Sequence, residues 1–150
     1  SCSAGVWNGR LYRRSISLQA RVVLILITAA GCALGGICRY LGITLVTRYF
    51  GERFPWGTLA VNALGSFLLG WLMAVISGTA PVWLSSDEAQ VFAMVGFCGG
   101  LTTFSTFSLQ TFSLVAEQAW GRALGNVLGG VLLCVFCVVS GYAIGEGWTQ

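Results

Sequence analysis

The sequence contains no histidine and no lysine, and only 9% of its 150 residues are charged, whereas 56% are hydrophobic. An ordinary soluble domain carries about 25% charged residues, so this chain lacks the polar residues needed to cover a soluble globule. All eight basic residues are arginines, which with five acidic residues give a net charge of +3. The composition predicts a membrane protein, and we expect no nucleic-acid partner.

Acidic residues are missing from the interior of every long apolar stretch, since Glu117 and Glu146 lie at the ends of such stretches. A proton-coupled drug exporter ordinarily needs a buried carboxylate, which argues against a multidrug antiporter. The six cysteines fall mainly in apolar segments, as small packing residues do. Cys134 and Cys137 have redox spacing, so a quinone-linked thiol oxidoreductase stays open as an alternative, although we expect a protein that is not an enzyme.

Four stretches are long and apolar enough to cross a bilayer, which requires about 20 residues each. We predict an all-α membrane protein with four helices at about 22–46, 57–77, 89–116 and 123–144. Together they form a transmembrane channel domain at 22–145, followed by a C-terminal tail at 146–150. Because four short helices fill the centre of their own bundle, transport favours an oligomer.

The N-terminal region, residues 1–21, is treated as a tail that is disordered or lies upstream of the natural start, because the chain does not begin with methionine. An alternative is that residues 22–30 form a signal-peptide core, but apolar residues continue well past Ala30. Arginines on the two sides of the predicted spans are nearly balanced: Arg10, Arg13, Arg14 and Arg21 against Arg48, Arg53 and Arg122. This balance predicts dual topology and an antiparallel homodimer.

The segment Gly96–Phe107, GFCGGLTTFSTF, lies inside a 28-residue run without a charge, from Ala89 to Ala116. The pair Gly99 and Gly100 weakens a helix, and hydroxyl residues follow at once. Broken backbone at membrane depth usually lines a cavity. We therefore predict a break near 99–102 and a half-helix whose free N–H groups form an anion site.

Side chains around this break fall into stripes at helical spacing. An aromatic stripe and a polar stripe follow the break, formed by Phe104, Phe107, Ser108 and Thr111 and by Thr103, Thr106 and Gln110. Phenyl edges carry positive charge density and suit an anion, although such stripes are more often packed core. On the second span, Asn62, Ser66 and Gly70 share one face, and Asn62 fits an interhelical hydrogen bond as well as a pore lining.

Arg39 is the one charge set firmly within an apolar region. It either braces helix ends or snorkels to the interface, or it attracts anions in an aqueous vestibule.

Three motifs resemble the Fluc (CrcB) family of fluoride channels: GGICRY at 35–40, PWGTLAVNALGSFLLG at 55–70 and GFCGGLTTFSTFS at 96–108. The resemblance covers roughly residues 22–145. It implies antiparallel homodimers with two pores in a bacterial inner membrane, passive fluoride export from the cytoplasm, and a buried Na⁺ ion. Its pore residues correspond here to Asn62, Phe104, Phe107, Thr103, Thr106, Ser108 and Asn126, its sodium carbonyls to Gly99 and Thr102, and its first-helix arginine to Arg39.

Two departures from the family pattern stand out. Gln110 occupies a position that is commonly acidic, and the fourth helix carries Gly130 and Cys134 where hydroxyls are expected after Asn126. Both departures affect the polar lining rather than the break.

Overall fold

The computed structural model describes residues 17–78, 82–84 and 86–148. Within these ranges every regular secondary-structure element is helical. The helices are α1 Leu18–Phe50, α2 Trp56–Ser77, α3 Asp87–Gln90, α4 Gly99–Leu101, α5 Phe104–Ala116 and α6 Trp120–Trp148, with a 3₁₀ turn at Val82–Leu84 and a π-helix at Val91–Cys98. Four segments, Leu18–Phe50, Trp56–Ser77, Asp87–Ala116 and Trp120–Trp148, are long and apolar enough to cross a membrane, which confirms the four predicted spans.

The first and last helices are longer than their apolar cores. Helix α1 starts at Leu18, inside the predicted tail, because the Ser17 hydroxyl accepts a hydrogen bond from Ala20 N at 3.3 Å and caps the helix. Helix α6 continues to Trp148, past the predicted end at 144. Hydropathy marks where lipid contact ends, whereas backbone hydrogen bonding continues into the interface. The predicted tail residues 1–16 lie outside the described residues.

The third span is interrupted at Thr102 and Thr103, whose backbones are extended with ψ of 154° and 117°. The glycine pair itself stays helical, which differs from the expectation that it unwinds the chain. A Cβ on Gly100 would lie 2.6 Å from the Cys32 carbonyl oxygen, so this glycine permits close packing and the break follows two residues later. The π-helix before it has no signal in the hydropathy pattern.

Glycines set the distance between α1 and the π-helix. A Cβ on Gly31 would lie 2.9 Å from Gly96 Cα, and a Cβ on Gly35 would collide with Phe97 O. Small residues at such contacts let two backbones approach, which is how helices associate in lipid. The first half of the third span is thereby held against α1.

Helices α2 and α6 pack closely and run in the same direction. Gly141 lies against the Phe67 carbonyl, and Gly145 lies against the Trp71 carbonyl, so the two helices advance four residues together. By contrast, only 11% of the most apolar 18-residue stretch of α1, and the same share of α6, is buried. Much of the outer surface of the bundle is apolar and needs lipid or another protein surface to cover it.

Replacing Gly35 by alanine is expected to destabilise the protein by about 1–3 kcal/mol, the usual cost of overpacking. The added methyl would meet backbone atoms of Phe97 and Leu101 that cannot move aside. Thermal unfolding in detergent measures the effect. Gly36→Ala is the control, because its methyl meets only the end of Arg39 at 3.9 Å; equal stability of the two variants would contradict the packing account.

Candidate functional site

Asn62 of α2 holds the broken backbone of the third span. Its Nδ2 donates to the Thr103 carbonyl at 3.1 Å, and its Oδ1 accepts from the Thr103 N–H at 2.8 Å. One side-chain amide therefore satisfies both backbone polar groups of an extended residue where lipid offers no partner. The same residue also lines a groove beside the break, so the interhelical bond and the lining position occur together.

Arg39 of α1 reaches the other extended residue. Its Nη1 donates to the Thr102 carbonyl at 3.2 Å, and the Thr102 hydroxyl donates to the Cys98 carbonyl at 3.0 Å. The guanidinium therefore sits at the break, half-buried, and braces its backbone. Helices α1 and α2 each contribute one long-range side-chain contact to this short segment.

Thr103 begins helix α5 as its cap. Its hydroxyl accepts from Thr106 N at 3.2 Å and donates to Thr106 Oγ1 at 3.0 Å, while Ser105 Oγ lies at 3.2 Å. A threonine cap satisfies one of the free N–H groups at a helix start. The half-helix predicted from the sequence is present, but Thr103 N–H and Thr106 N–H are already bound to protein groups.

Phe104 and Phe107 form a pair on α5, with ring centroids 5.5 Å apart and planes tilted by 38°. Both rings line the groove of about 250 Å³ that Asn62 also lines, and Leu59, Val131 and Val135 complete its apolar part. Phe104 is 78% exposed. The groove thus opens on the outer surface of the bundle, and a single chain does not enclose it.

Gly130 of α6 makes room for the Phe107 ring. A Cβ at this position would lie 2.9 Å from Phe107 Cε2. The missing hydroxyl noted in the sequence therefore has a steric reason, because any side chain here would displace the ring. Cys134, one turn further along, lines the same groove and is a free thiol, as is Cys137.

The remaining predicted pore residues, Ser108 and Asn126, donate to nearby protein groups. Ser108 donates to the Phe104 carbonyl at 2.9 Å and is exposed. Asn126 is buried, and its Nδ2 donates to Thr111 Oγ1 at 2.8 Å, which in turn donates to the Phe107 carbonyl at 2.8 Å. Asn126 thus joins α6 to the helix carrying the phenyl pair and is not a lining residue of the groove.

A second cavity, of about 350 Å³, lies at the end of the bundle where α5 ends and α6 begins, and we call it the end cavity. Its charged residues are Glu52, Arg53, Glu117 and Arg122, and its inner wall includes Gln110. Arg122 closes this end by donating to the Arg53 carbonyl at 2.8 Å, and it lies 3.9 Å from the exposed Glu117 carboxylate.

The carbonyl oxygens of Gly99 and Thr102 are of the ligand type that a hard cation prefers. Thr103 N–H is bound to Asn62, so the Gly99 carbonyl lacks its usual donor four residues on. Gly99 is exposed, with open space where a Cβ would lie. The Thr102 carbonyl accepts from a guanidinium and keeps a second lone pair. One chain supplies two such oxygens, so a cation bound here would need further ligands from another surface.

One buried hydroxyl on α2 has no counterpart in the sequence interpretation. Thr58 of α2 is 2% exposed and lies one turn before Asn62 on the same helical face. Extending the Asn62, Ser66, Gly70 stripe backwards by four residues would have found it.

Replacing Asn62 by leucine is expected to lower the free energy of unfolding by about 2–6 kcal/mol, because two buried backbone groups lose their partners at about 1–3 kcal/mol each. Thermal unfolding in detergent measures the change. Hydrogen exchange of the Thr103 amide should accelerate in the same variant. Thr44→Val provides the control, since the exposed Thr44 hydroxyl bonds only within its own helix. Unchanged exchange at Thr103 would show that Asn62 does not hold the break.

Comparison with known proteins places this architecture in a family. The family model described as CrcB-like protein, Camphor Resistance (CrcB), matches residues 26–142. The chain is 44% identical over 124 residues to a protein named fluoride-specific ion channel FluC from Opitutus terrae, covering 83% of this chain and 93% of that protein.

Proteins of the same name give similar values: 43% identity over 126 residues for Gluconobacter oxydans, covering 82% and 85% of the two chains, and 45% over 116 residues for Hahella chejuensis, covering 77% and 89%. These three relatives are named as channels and not as enzymes. With four helices able to cross a bilayer, the protein is a multi-pass membrane protein, and it belongs to the CrcB family.

Proposed function

We propose that this protein is a fluoride-selective channel that passively exports fluoride across a bacterial plasma membrane and thereby lowers its toxicity in the cytoplasm. One observation carries the proposal: the broken third span sets two phenyl rings and the start of a half-helix beside a groove at membrane depth. The relatives' shared name, fluoride-specific ion channel, agrees with this chemistry.

Selectivity follows from what replaces the water around the ion. Ring edges of Phe104 and Phe107 offer positive charge density without a transferable proton. The polar groups beside them, Asn62 and the Thr103–Thr106 pair, orient the rings' helix and supply dipoles. A narrow path of this kind admits a small anion and sterically rejects larger halides, and its apolar spans lack the carboxylate that proton coupling needs. Net flux therefore follows the electrochemical gradient of fluoride.

The open groove supports an antiparallel homodimer. Phe104, Val131 and Val135 are 78%, 52% and 56% exposed, so in one chain lipid tails would fill the space between them. A second copy closes each groove and excludes lipid, which makes two pores per dimer. The nearly equal arginine counts on the two sides of the spans permit insertion in both orientations.

A sodium ion at the dimer centre completes the proposal. Gly99 and Thr102 of each copy would offer two carbonyl oxygens, and two copies would offer four. When bound, the ion would be coordinated by lone pairs of these carbonyl oxygens and would tie the two chains together. Arg39 braces the same carbonyl, which keeps the Thr102 oxygen oriented.

Liposomes loaded with potassium fluoride and given a potassium ionophore test the function. The wild-type protein should release fluoride faster than protein-free liposomes without an equal chloride leak. Phe107→Ile should lower fluoride efflux at least tenfold, about 1.4 kcal/mol in barrier height, because it removes a ring edge and keeps bulk. The dimer should persist on size exclusion.

Phe112→Ile is the matched control, since Phe112 lies on the same helix, is 68% exposed and does not line the groove. Fluoride efflux equal to that of empty liposomes, or unaffected by Phe107→Ile, would contradict the proposal.

Sodium removal tests the cation part separately. Dialysis against sodium-free, potassium-containing buffer should slowly reduce fluoride efflux, and returning sodium should restore it, because the two chains lose the ion that their carbonyls share. Liposomes prepared in parallel with sodium provide the control. Full activity after exhaustive dialysis would remove the cation from the proposal and leave the anion pathway standing.

A further inference from the structure

Two cysteines of α6, Cys134 and Cys137, take no part in the proposed function. Both thiols are free and half-buried. The two residues between them, Val135 and Phe136, are 56% and 69% exposed and so lie on the outer side of the helix. Because positions three residues apart share one face of a helix, both thiols lie on the inner side of α6. Cys134 also forms part of the wall of the groove.

The spacing of this pair suits a bridging metal ion better than a disulfide. Cβ atoms three residues apart on a helix are separated by about 5–6 Å, whereas a disulfide needs about 3.5–4.5 Å. Helix α6 runs without a break from Trp120 to Trp148, so its backbone does not close that gap. Two metal–sulfur bonds of about 2.3 Å each hold the sulfurs about 4.6 Å apart across one ion, which fits neighbouring side chains on one helical face.

The ligand set selects a soft ion of low coordination number. Thiolate sulfur prefers soft metals such as copper(I), and a structural zinc site would need four ligands. The sequence contains no histidine, and among the residues that the structure describes no three cysteine or acidic side chains are grouped to hold a metal. The one other polar side chain of the groove, Asn62, is already bound to Thr103. Copper(I) and silver(I) need only two sulfur ligands on opposite sides of the ion.

We propose that Cys134 and Cys137 form a two-coordinate site for a soft monovalent metal ion, copper(I) or silver(I), and that the bound ion blocks the groove. Each thiol releases its proton to water as its metal–sulfur bond forms. One M⁺ and two thiols thus give two protons and a bis-thiolate complex with a net charge of −1. The complex has the charge of fluoride and lies beside Phe104 and Phe107, whose ring edges suit an anion. The blocking part rests on the proposed function, whereas the binding part does not.

Titration with silver(I) tests the site directly. The experiment uses a background chain with the replacements Cys2→Ser, Cys32→Ser and Cys38→Ser, and a chloride-free buffer that keeps silver in solution. Isothermal titration of the purified background chain should show tight binding of one ion per chain. Adding Cys134→Ser or Cys137→Ser should weaken this binding at least about 100-fold, because the ion loses one of its two direct ligands. The unmodified chain is the control and should keep the tight site, since Cys32 and Cys38 are exposed and too far apart along α1 to share one ion.

The liposome assay tests the block. In the background chain, silver at about ten times its dissociation constant should lower fluoride efflux about tenfold, because about nine sites in ten are then occupied. Efflux with and without silver is compared within each variant, so any effect of a substitution on conduction itself cancels. In Cys137→Ser, the same silver concentration should leave efflux unchanged.

Equal silver affinity in the background chain and its serine variants would overturn the inference. Tight binding that leaves fluoride efflux unchanged would also overturn it, as would equal inhibition of Cys137→Ser, because silver would then act elsewhere. If Cys137→Ser does not fold, Cys137→Ala is judged by the same measurements. A wild-type protein that releases no fluoride would overturn the proposed function, and the titration would still decide the metal site.

Discussion

The bidentate contact between the Asn62 side chain and the backbone of Thr103 is the interaction on which the rest of this architecture depends. A membrane interior supplies no partner for a peptide group that has left its helix. Asn62 supplies both a donor and an acceptor to one residue, and Arg39 supplies a donor to the residue before it. Without them, the extended segment would carry several kcal/mol of unpaired polar groups, on the order of the stability of a whole domain.

The position of the break determines the chemistry beside it. Because Thr103 caps α5, the helix starts at Phe104, and Phe104 and Phe107 point along one face with their rings 5.5 Å apart. Gly130 on the neighbouring helix leaves room for the second ring. The missing side chain at Gly130 on α6 thus matches the Phe107 ring, whose helix is positioned by the hydrogen bonds from Asn62 on α2. Changes at Asn62, Phe107 and Gly130 are coupled, since the three residues line the same groove.

The four spans, the broken third helix and its phenyl pair were predictable from the sequence, because each leaves a local pattern: apolar length, a glycine pair followed by hydroxyls, and aromatic spacing. The packing role of Gly100 was not, because it depends on the Cys32 backbone 68 positions away. The hydrogen-bond partners of the Thr103 and Ser108 hydroxyls were not predictable either, because they depend on whether each hydroxyl meets a carbonyl of its own helix. The position of Thr58 on the Asn62 face of α2 was open to sequence reasoning, whereas its unpaired hydroxyl is visible only among its three-dimensional neighbours.

The central claim is that this architecture selects fluoride over other small anions. A planar bilayer with sodium fluoride on one side and an equal concentration of sodium chloride on the other tests it directly. We predict a reversal potential displaced from zero by at least about 59 mV in the direction of fluoride permeation, the displacement for a tenfold permeability ratio of monovalent ions. A reversal potential near zero, or no current above that of a protein-free bilayer, would contradict the account.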